Sequence, residues 1–159
     1  MTTSPKKSAF KEKGFKASIE ELKAEIQELY TSDNVPWIVG YSGGKDSTAT
    51  LQLVWLALRD LPESKRSKPV HVISTDTLVE NPVVAAWVIQ SLSRMQECAD
   101  KDGLPFITHR LTPEVNESFW VNLLGRGYPA PRLQFRWCTE RLKIRPSNRF
   151  ITRVVHEHG

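Results

Sequence analysis

The chain has 159 residues, 40% of them hydrophobic, with 22 lysines and arginines against 18 acidic residues and a net charge of +4. That length holds one domain with a real core rather than two, and no apolar run approaches the ~20 residues that span a bilayer, so no membrane partner is expected. Two cysteines, Cys98 and Cys138, with no Cys-x-x-Cys spacing speak against a disulfide framework, and a cytoplasmic protein is expected.

Residues 1–17 carry Lys6, Lys7, Lys11, Lys13 and Lys16 among small and polar residues, and read as a basic mobile arm without site residues. Ser18 with Glu21 three residues on is a capping-box pattern. Ile19, Leu22, Ile26 and Leu29 follow at helical steps, which predicts an amphipathic helix ending near Ser32. Residues 36–51, PWIVGYSGGKDSTATL, then organise the rest of the chain. Trp37, Ile38 and Val39 suit a buried strand, Gly43 and Gly44 a tight turn, and Asp46 or Ser47 the cap of a helix with its apolar face at Leu51, Val54, Trp55 and Leu58.

A strand, glycine turn and helix in that order aim several backbone N–H groups and the positive end of a helix dipole at one spot, where phosphates bind most readily. Ser42 and Ser47 add hydroxyls, Lys45 a mobile cation and Asp46 a carboxylate suited to magnesium. The spacing is not that of a Walker A loop: three residues rather than four separate Gly40 from Gly44-Lys45, and Asp46 stands where Ser or Thr is required. The segment Ser42-Gly43-Gly44-Lys45-Asp46-Ser47 does resemble the Ser-Gly-Gly-x-Asp-Ser loop of the PP-loop ATP pyrophosphatase superfamily. That resemblance implies an α/β fold with a parallel sheet and flanking helices. It also implies Mg2+ and ATP as cofactors, bound by Tyr41, Ser42, Gly43, Gly44, Lys45, Asp46 and Ser47, with attack on the α-phosphate and release of pyrophosphate.

Residues 70–75, VHVIST, read as a second strand, parallel to the first through the intervening helix. Thr75, Asp76 and Thr77 then fall at a strand carboxyl end beside the loop, where Asp76 could accept from a ribose hydroxyl or hold magnesium. Asp76, Thr77 and Glu80 resemble the Asp-Thr and following Glu of the phosphoadenylyl-sulfate reductase-like branch. Asn81 and Pro82 open a helix with Val84, Val88, Leu92, Met95 and Cys98 or Ala99 on its apolar face. Gly103 ends it, and residues 105–109 are a third strand. His71, His109, His156 and His158 show no metal-like spacing, so no zinc site is expected.

Residues 117–124 read as a short apolar helix closed by Gly125. Residues 126–153 then hold eight basic side chains and one acid, a net +7 that leaves −3 for the remainder. Tyr128, Phe135 and Trp137 alternate with the arginines, a mixture suited to nucleic acid, with Arg132, Arg136, Trp137 and Arg145 as candidate contacts. Residues 136–146 resemble the Trp-Cys-Thr-x-x-Leu-Lys signature of the reductase-like branch, and the chain from Lys23 onward is most similar to the N-terminal part of the DndC sulfurtransferase family of DNA phosphorothioation. The resemblance implies DNA, a cysteine desulfurase and other phosphorothioation proteins as partners, Arg141 and Lys143 at the α-phosphate, and Cys138 as one ligand of a [4Fe-4S] cluster whose other three cysteines do not follow here. Residues 147–156 read as a helix with Phe150, Ile151, Val154 and Val155 on one face. Residues 18–159 are thus expected to be a partial PP-loop domain. Two other readings stay open: a phosphoadenylyl-sulfate reductase, and a non-catalytic nucleotide- and DNA-binding assembly subunit.

Overall fold

A computed structural model describes residues 13–158. Three strands, β1 (Trp37–Gly40), β2 (Val70–Thr75) and β3 (Phe106–Leu111), form one parallel sheet in the order β1-β2-β3. Parallel neighbours need long crossovers, and helices α2 (Lys45–Arg59) and α3 (Pro82–Asp102) supply them. Helix α1 (Phe15–Thr31) precedes the sheet, and the short turn α4 (Trp137–Thr139) leads into α5 (Arg145–His158) after it. The fold is therefore α/β, a parallel sheet flanked by helices. Among the described residues no helix is long and apolar enough to cross a membrane.

Alternation along the strands splits the apolar side chains between two faces. On one face Val70, Val72 and Phe106 join Leu51, Val54 and Leu58 of α2, Leu92 and Ala99 of α3 and Tyr30 of α1 in the main core. On the other, Ile73 clusters with Phe150 and Val154 of α5, with Ile38 and Leu111 at the margin. One face is packed deeply and the other is covered by a single helix.

Several expectations are corrected here. Helix α1 starts at Phe15, a turn ahead of the supposed cap; Ser18 lies inside it, its hydroxyl donating to the Gly14 carbonyl at 2.9 Å. The basic arm thus gives way to helix before residue 17, and residues 1–12 lie outside the described residues. The buried anchor of α1 is Tyr30 rather than Leu22 or Leu29, which are exposed. Its hydroxyl donates to the Lys68 carbonyl and accepts from the Lys68 N–H, so a polar group is buried without an orphan. On α3, Ala99 rather than Cys98 enters the core, and Val84 is exposed. On α5 Pro146, Phe150 and Val154 are buried, while Ile151 and Val155 face outward. Asn81 caps α3 as expected, accepting from the Val83 N–H at 2.9 Å, and Gly103 closes it in the left-handed region. Of the helix predicted over 117–124, residues 119 and 120 are helical and continue into a π turn, Val121–Gly125, while a separate 3-10 turn, Val115–Glu117, precedes them.

The two edges of the sheet differ. Along β3, Gln96 of α3 donates its amide N–H to the Phe106 carbonyl at 3.2 Å and accepts from the Thr108 N–H at 2.8 Å, occupying the groups a further strand would use. Along β1, Trp37 and Tyr41 point their N–H groups at β2, so the alternation turns those of Ile38 and Gly40 outward. Among the described residues these two have no partner.

Candidate nucleotide-binding cleft

The loop between β1 and α2 is built by its own hydroxyls. Tyr41 is buried and prolongs the sheet by one bond, its N–H donating to the Ile73 carbonyl at 2.8 Å. Ser42 and Ser47 then face each other across the turn, with oxygens 3.1 Å apart, and the Ser42 N–H donates to Ser47 Oγ at 3.3 Å. Ser47 Oγ in turn donates to the Gly44 carbonyl at 3.0 Å. Gly44 is the N-cap of α2 and no side chain caps it; Asp46 and Ser47, the expected caps, lie in the first turn. The N–H of Thr48 donates to Gly44, which leaves those of Lys45, Asp46 and Ser47 at the open end of the helix. Gly43 turns at φ +74°, and a Cβ there would lie 2.6 Å from the Trp87 ring and 3.0 Å from a Val88 methyl. Sterics and φ both require glycine.

Beside the loop lies a cleft of about 230 Å³. Gly40, Tyr41 and Ser42 form one side, the end of β2 from Ile73 to Asp76 its floor, Ala85, Val88 and Ile89 of α3 another side, and Lys143 and Ser147 its cover. It sits at the carboxyl ends of parallel strands, where open α/β sheets bind ligands. Among the predicted residues, Tyr41, Ser42, Thr75, Asp76 and Lys143 line it together. Gly43, Gly44, Lys45, Asp46 and Ser47 adjoin it on the loop without forming its walls.

Charge around the cleft is paired. Asp76 receives Arg110 Nη2 at 2.6 Å and the Leu78 N–H at 2.8 Å. Burial raises the carboxyl's pKa, but the Leu78 N–H and Arg110 together outweigh it and leave Asp76 below the usual carboxylate range. Lys143 Nζ stands 3.4 Å from Glu80, and Thr75 Oγ1 lies 3.3 Å from Ser147 Oγ. Lys143 belongs to a π turn, Glu140–Ile144, between α4 and α5. One extra residue in a helical turn rotates the succeeding turns by about 100°, so Lys143 and Ser147 reach the cleft while Phe150 still meets the sheet.

The other predicted residues are placed elsewhere. Arg141 turns away from the cleft, donating to Tyr128 Oη at 2.7 Å and stacking on that ring. Trp137, read as a stacking surface for bases, is 8% exposed; it packs on Phe119 and Tyr128 and donates its Nε1–H to the Pro129 carbonyl at 3.0 Å. Arg145 is held by Glu117 at 2.5 Å and Glu140 at 3.4 Å. Burial pushes Glu117 up, but Arg145 and Arg149 more than offset it. Arg132 and Arg136 remain exposed on a loop closed by reciprocal 3.0 Å bonds between Arg132 and Phe135, and neither has an acidic partner among the described residues. Cys138 is half-buried, and Cys98 lines a separate groove with Trp55 and Trp87. No described group of three or more histidine, cysteine or acidic side chains could hold a metal ion, and the chain's other cysteine, Cys98, lies in that separate groove.

Arg110 escaped the sequence reading. The third strand was expected to stop at His109, and two further residues place Arg110 and Leu111 at the carboxyl end. A strand drawn to equal the length of β2 would have found it.

No family model matches the chain. It is 30% identical over 126 residues to the uncharacterized protein MJ0066 of Methanocaldococcus jannaschii, an alignment covering 79% of this chain and 22% of that protein. The chain therefore spans about a fifth of the length of the curated relative it matches.

Proposed function

We propose that this chain is a nucleotide-binding domain of PP-loop type that uses ATP for attack at the α-phosphate, in the modification of DNA by phosphorothioation. The observation that carries the reading is the serine-braced glycine loop opening onto a cleft at the strand carboxyl ends. The N–H groups of Lys45, Asp46 and Ser47 and the hydroxyls of Ser42 and Ser47 suit a pyrophosphate. The apolar side of α3 suits a base. Magnesium, held by Asp46, would supply charge neutralisation between the phosphates. Lys143 reaches the cleft and is the cation able to offset charge that grows on the α-phosphate.

In this scheme a non-bridging oxygen of a DNA phosphate attacks the α-phosphorus, the bond to the β-phosphate breaks, and pyrophosphate leaves. The DNA phosphate is then joined to AMP as an anhydride. The outer sulfur of a persulfide carried by a cysteine desulfurase partner attacks the DNA phosphorus, AMP leaves, and a second thiol cleaves the sulfur–sulfur bond, leaving the phosphorothioate and a disulfide. Arg132 and Arg136, exposed and without acidic partners among the described residues, are the side chains placed to meet a phosphate backbone. Trp137 and Arg145, already engaged within the fold, are not assigned to DNA, and no step is assigned to an iron–sulfur cluster.

A second reading is favoured by one observation: Arg141 is bound to Tyr128 rather than aimed at the cleft. With one cation where two were expected, the chain would bind ATP and DNA without turnover, as an assembly subunit. Phosphorus NMR of the purified chain with Mg-ATP, with and without duplex DNA, separates the two. AMP and pyrophosphate establish α-phosphate chemistry. Binding without products supports the subunit reading. Failure to bind Mg-ATP, or equal binding by Asp46→Ala, overturns both.

A further inference from the structure

The segment joining β2 to α3 holds one strained backbone position beside the cleft. Leu78 has φ +62°, the one described non-glycine residue in the left-handed region, which a branched apolar side chain rarely adopts. Two residues earlier, Asp76 is tied at three points: its N–H donates to the Leu111 carbonyl at 2.8 Å, one carboxylate oxygen accepts from the Leu78 N–H at 2.8 Å, and the other accepts from Arg110 at 2.6 and 3.1 Å. The carboxylate is only 14% exposed. Two residues after Leu78, Glu80 meets Lys143 across the cleft, and Asn81 then starts the helix whose Ala85, Val88 and Ile89 form a wall.

We propose that Asp76 is a positioning residue, not a ligand of ribose or magnesium: with Arg110 it clamps Leu78 into its left-handed turn and so sets Glu80 and the start of α3 against the cleft. Three of the roughly four acceptor positions of the carboxylate are taken, so a nucleotide or metal reaching it competes with Arg110 and the Leu78 N–H, and loss of the second would release the turn. Side-chain length matters here. An aspartate reaches the N–H two residues on and closes a turn-like ring, a glutamate overshoots it, and an asparagine keeps the acceptor while losing most of the ion pair. The effect on ligand binding rests on the nucleotide reading above; the clamp itself does not.

The test is a rescue. Glycine adopts φ +62° unaided, so Leu78→Gly should make the clamp dispensable. Four variants are compared with the unmodified chain: Asp76→Ala, Asp76→Asn, Leu78→Gly, and Asp76→Ala combined with Leu78→Gly. Amide hydrogen exchange over residues 77–84 is measured without ligand, and Mg-ATP affinity by calorimetry. Asp76→Ala is expected to speed exchange there by tenfold or more and to weaken Mg-ATP about as much. Asp76→Asn should stay within a few-fold of the unmodified chain in both, and the double variant should regain most of what Asp76→Ala lost. Unchanged exchange in Asp76→Ala would overturn the clamp. Exchange restored in the double variant with affinity still lost would overturn the positioning role and make Asp76 a direct ligand. Should the unmodified chain bind no Mg-ATP, the nucleotide reading fails and the exchange measurements decide the clamp alone.

Discussion

At the residue scale, glycines and hydroxyls set the loop, and these are the features that composition reveals. Ser42, Gly43 and Ser47 could be read from the sequence because each has a local reason: a turn that needs positive φ, and side chains short enough to bond across it. Gly43→Ala is expected to cost about 1–2 kcal/mol from φ alone. A further term comes from moving the Trp87 ring, which a half-exposed side chain can partly accommodate. Thermal unfolding should show a drop of several degrees; an unchanged melting temperature would mean that the turn is not held as described. Arg110 and Tyr30 were not legible in the same way. Arg110 acts through a partner 34 residues away, and Tyr30 through a backbone group 38 residues away. No local pattern announces such pairs.

At the element scale, the three strands and the long helices were legible, but the 3-10 and π turns over residues 115–125 and the buried faces of the helices were not. β2 was found residue for residue, because a β-branched run bounded by turns has few alternatives. The π turn at Glu140–Ile144 carries no periodic signature, and the apolar face of α5 was drawn too wide, taking in Ile151 and Val155, which are exposed. What α5 covers is unusual. His71 Nδ1 and His109 Nε2 lie 3.0 Å apart beneath Phe150, and His71 Nε2 is buried with no partner among the described residues. Burial first, then the charges of His158 and Arg153, hold His71 below its ordinary value of 6.5, with Glu157 opposing. Burial, His71 and Arg153 do the same for His109.

The fold thus prefers both rings neutral, while the unfolded chain takes up protons first. Their contribution to stability is whole above about pH 6.5 and is lost as pH falls through the lower folded values, at about 1.4 kcal/mol per unit of displacement. Asp76 and Glu117, with pKa values lowered from 3.8 and 4.5, lose their contributions only in more acid solution. Unfolding of the unmodified chain should therefore become easier as pH falls below about 6.5, with α5 amides exposed first. A His71→Gln, His109→Gln double variant should flatten that slope. Parallel pH curves for the two proteins would refute the assignment to these rings.

At the scale of the whole molecule, a well-filled core supports one face of the sheet and a single helix covers the other. The cleft straddles the two, with its loop and α3 on the firm side and Lys143 and Ser147 on the light one. The positive charge is less available than its count of +7 over residues 126–153 implied, because Arg145 and Arg149 are engaged by Glu117. Gln96 plays a comparable part on the sheet, occupying groups that would otherwise face a partner. Gln96→Ala would leave the Phe106 carbonyl and Thr108 N–H of β3 unpaired, at about 1–3 kcal/mol, and would open an edge for strand addition. Sedimentation velocity should then show concentration-dependent association that the unmodified chain shows less of; identical behaviour would mean that Gln96 does not guard the edge.

With β3 stopped by that glutamine, the sheet has a direction of growth. Any strand that lengthens it must arrive beside β1, next to the root of the glycine loop. An incoming strand would therefore approach the side of the cleft opposite α3, so joining the sheet and enclosing a ligand would be one act.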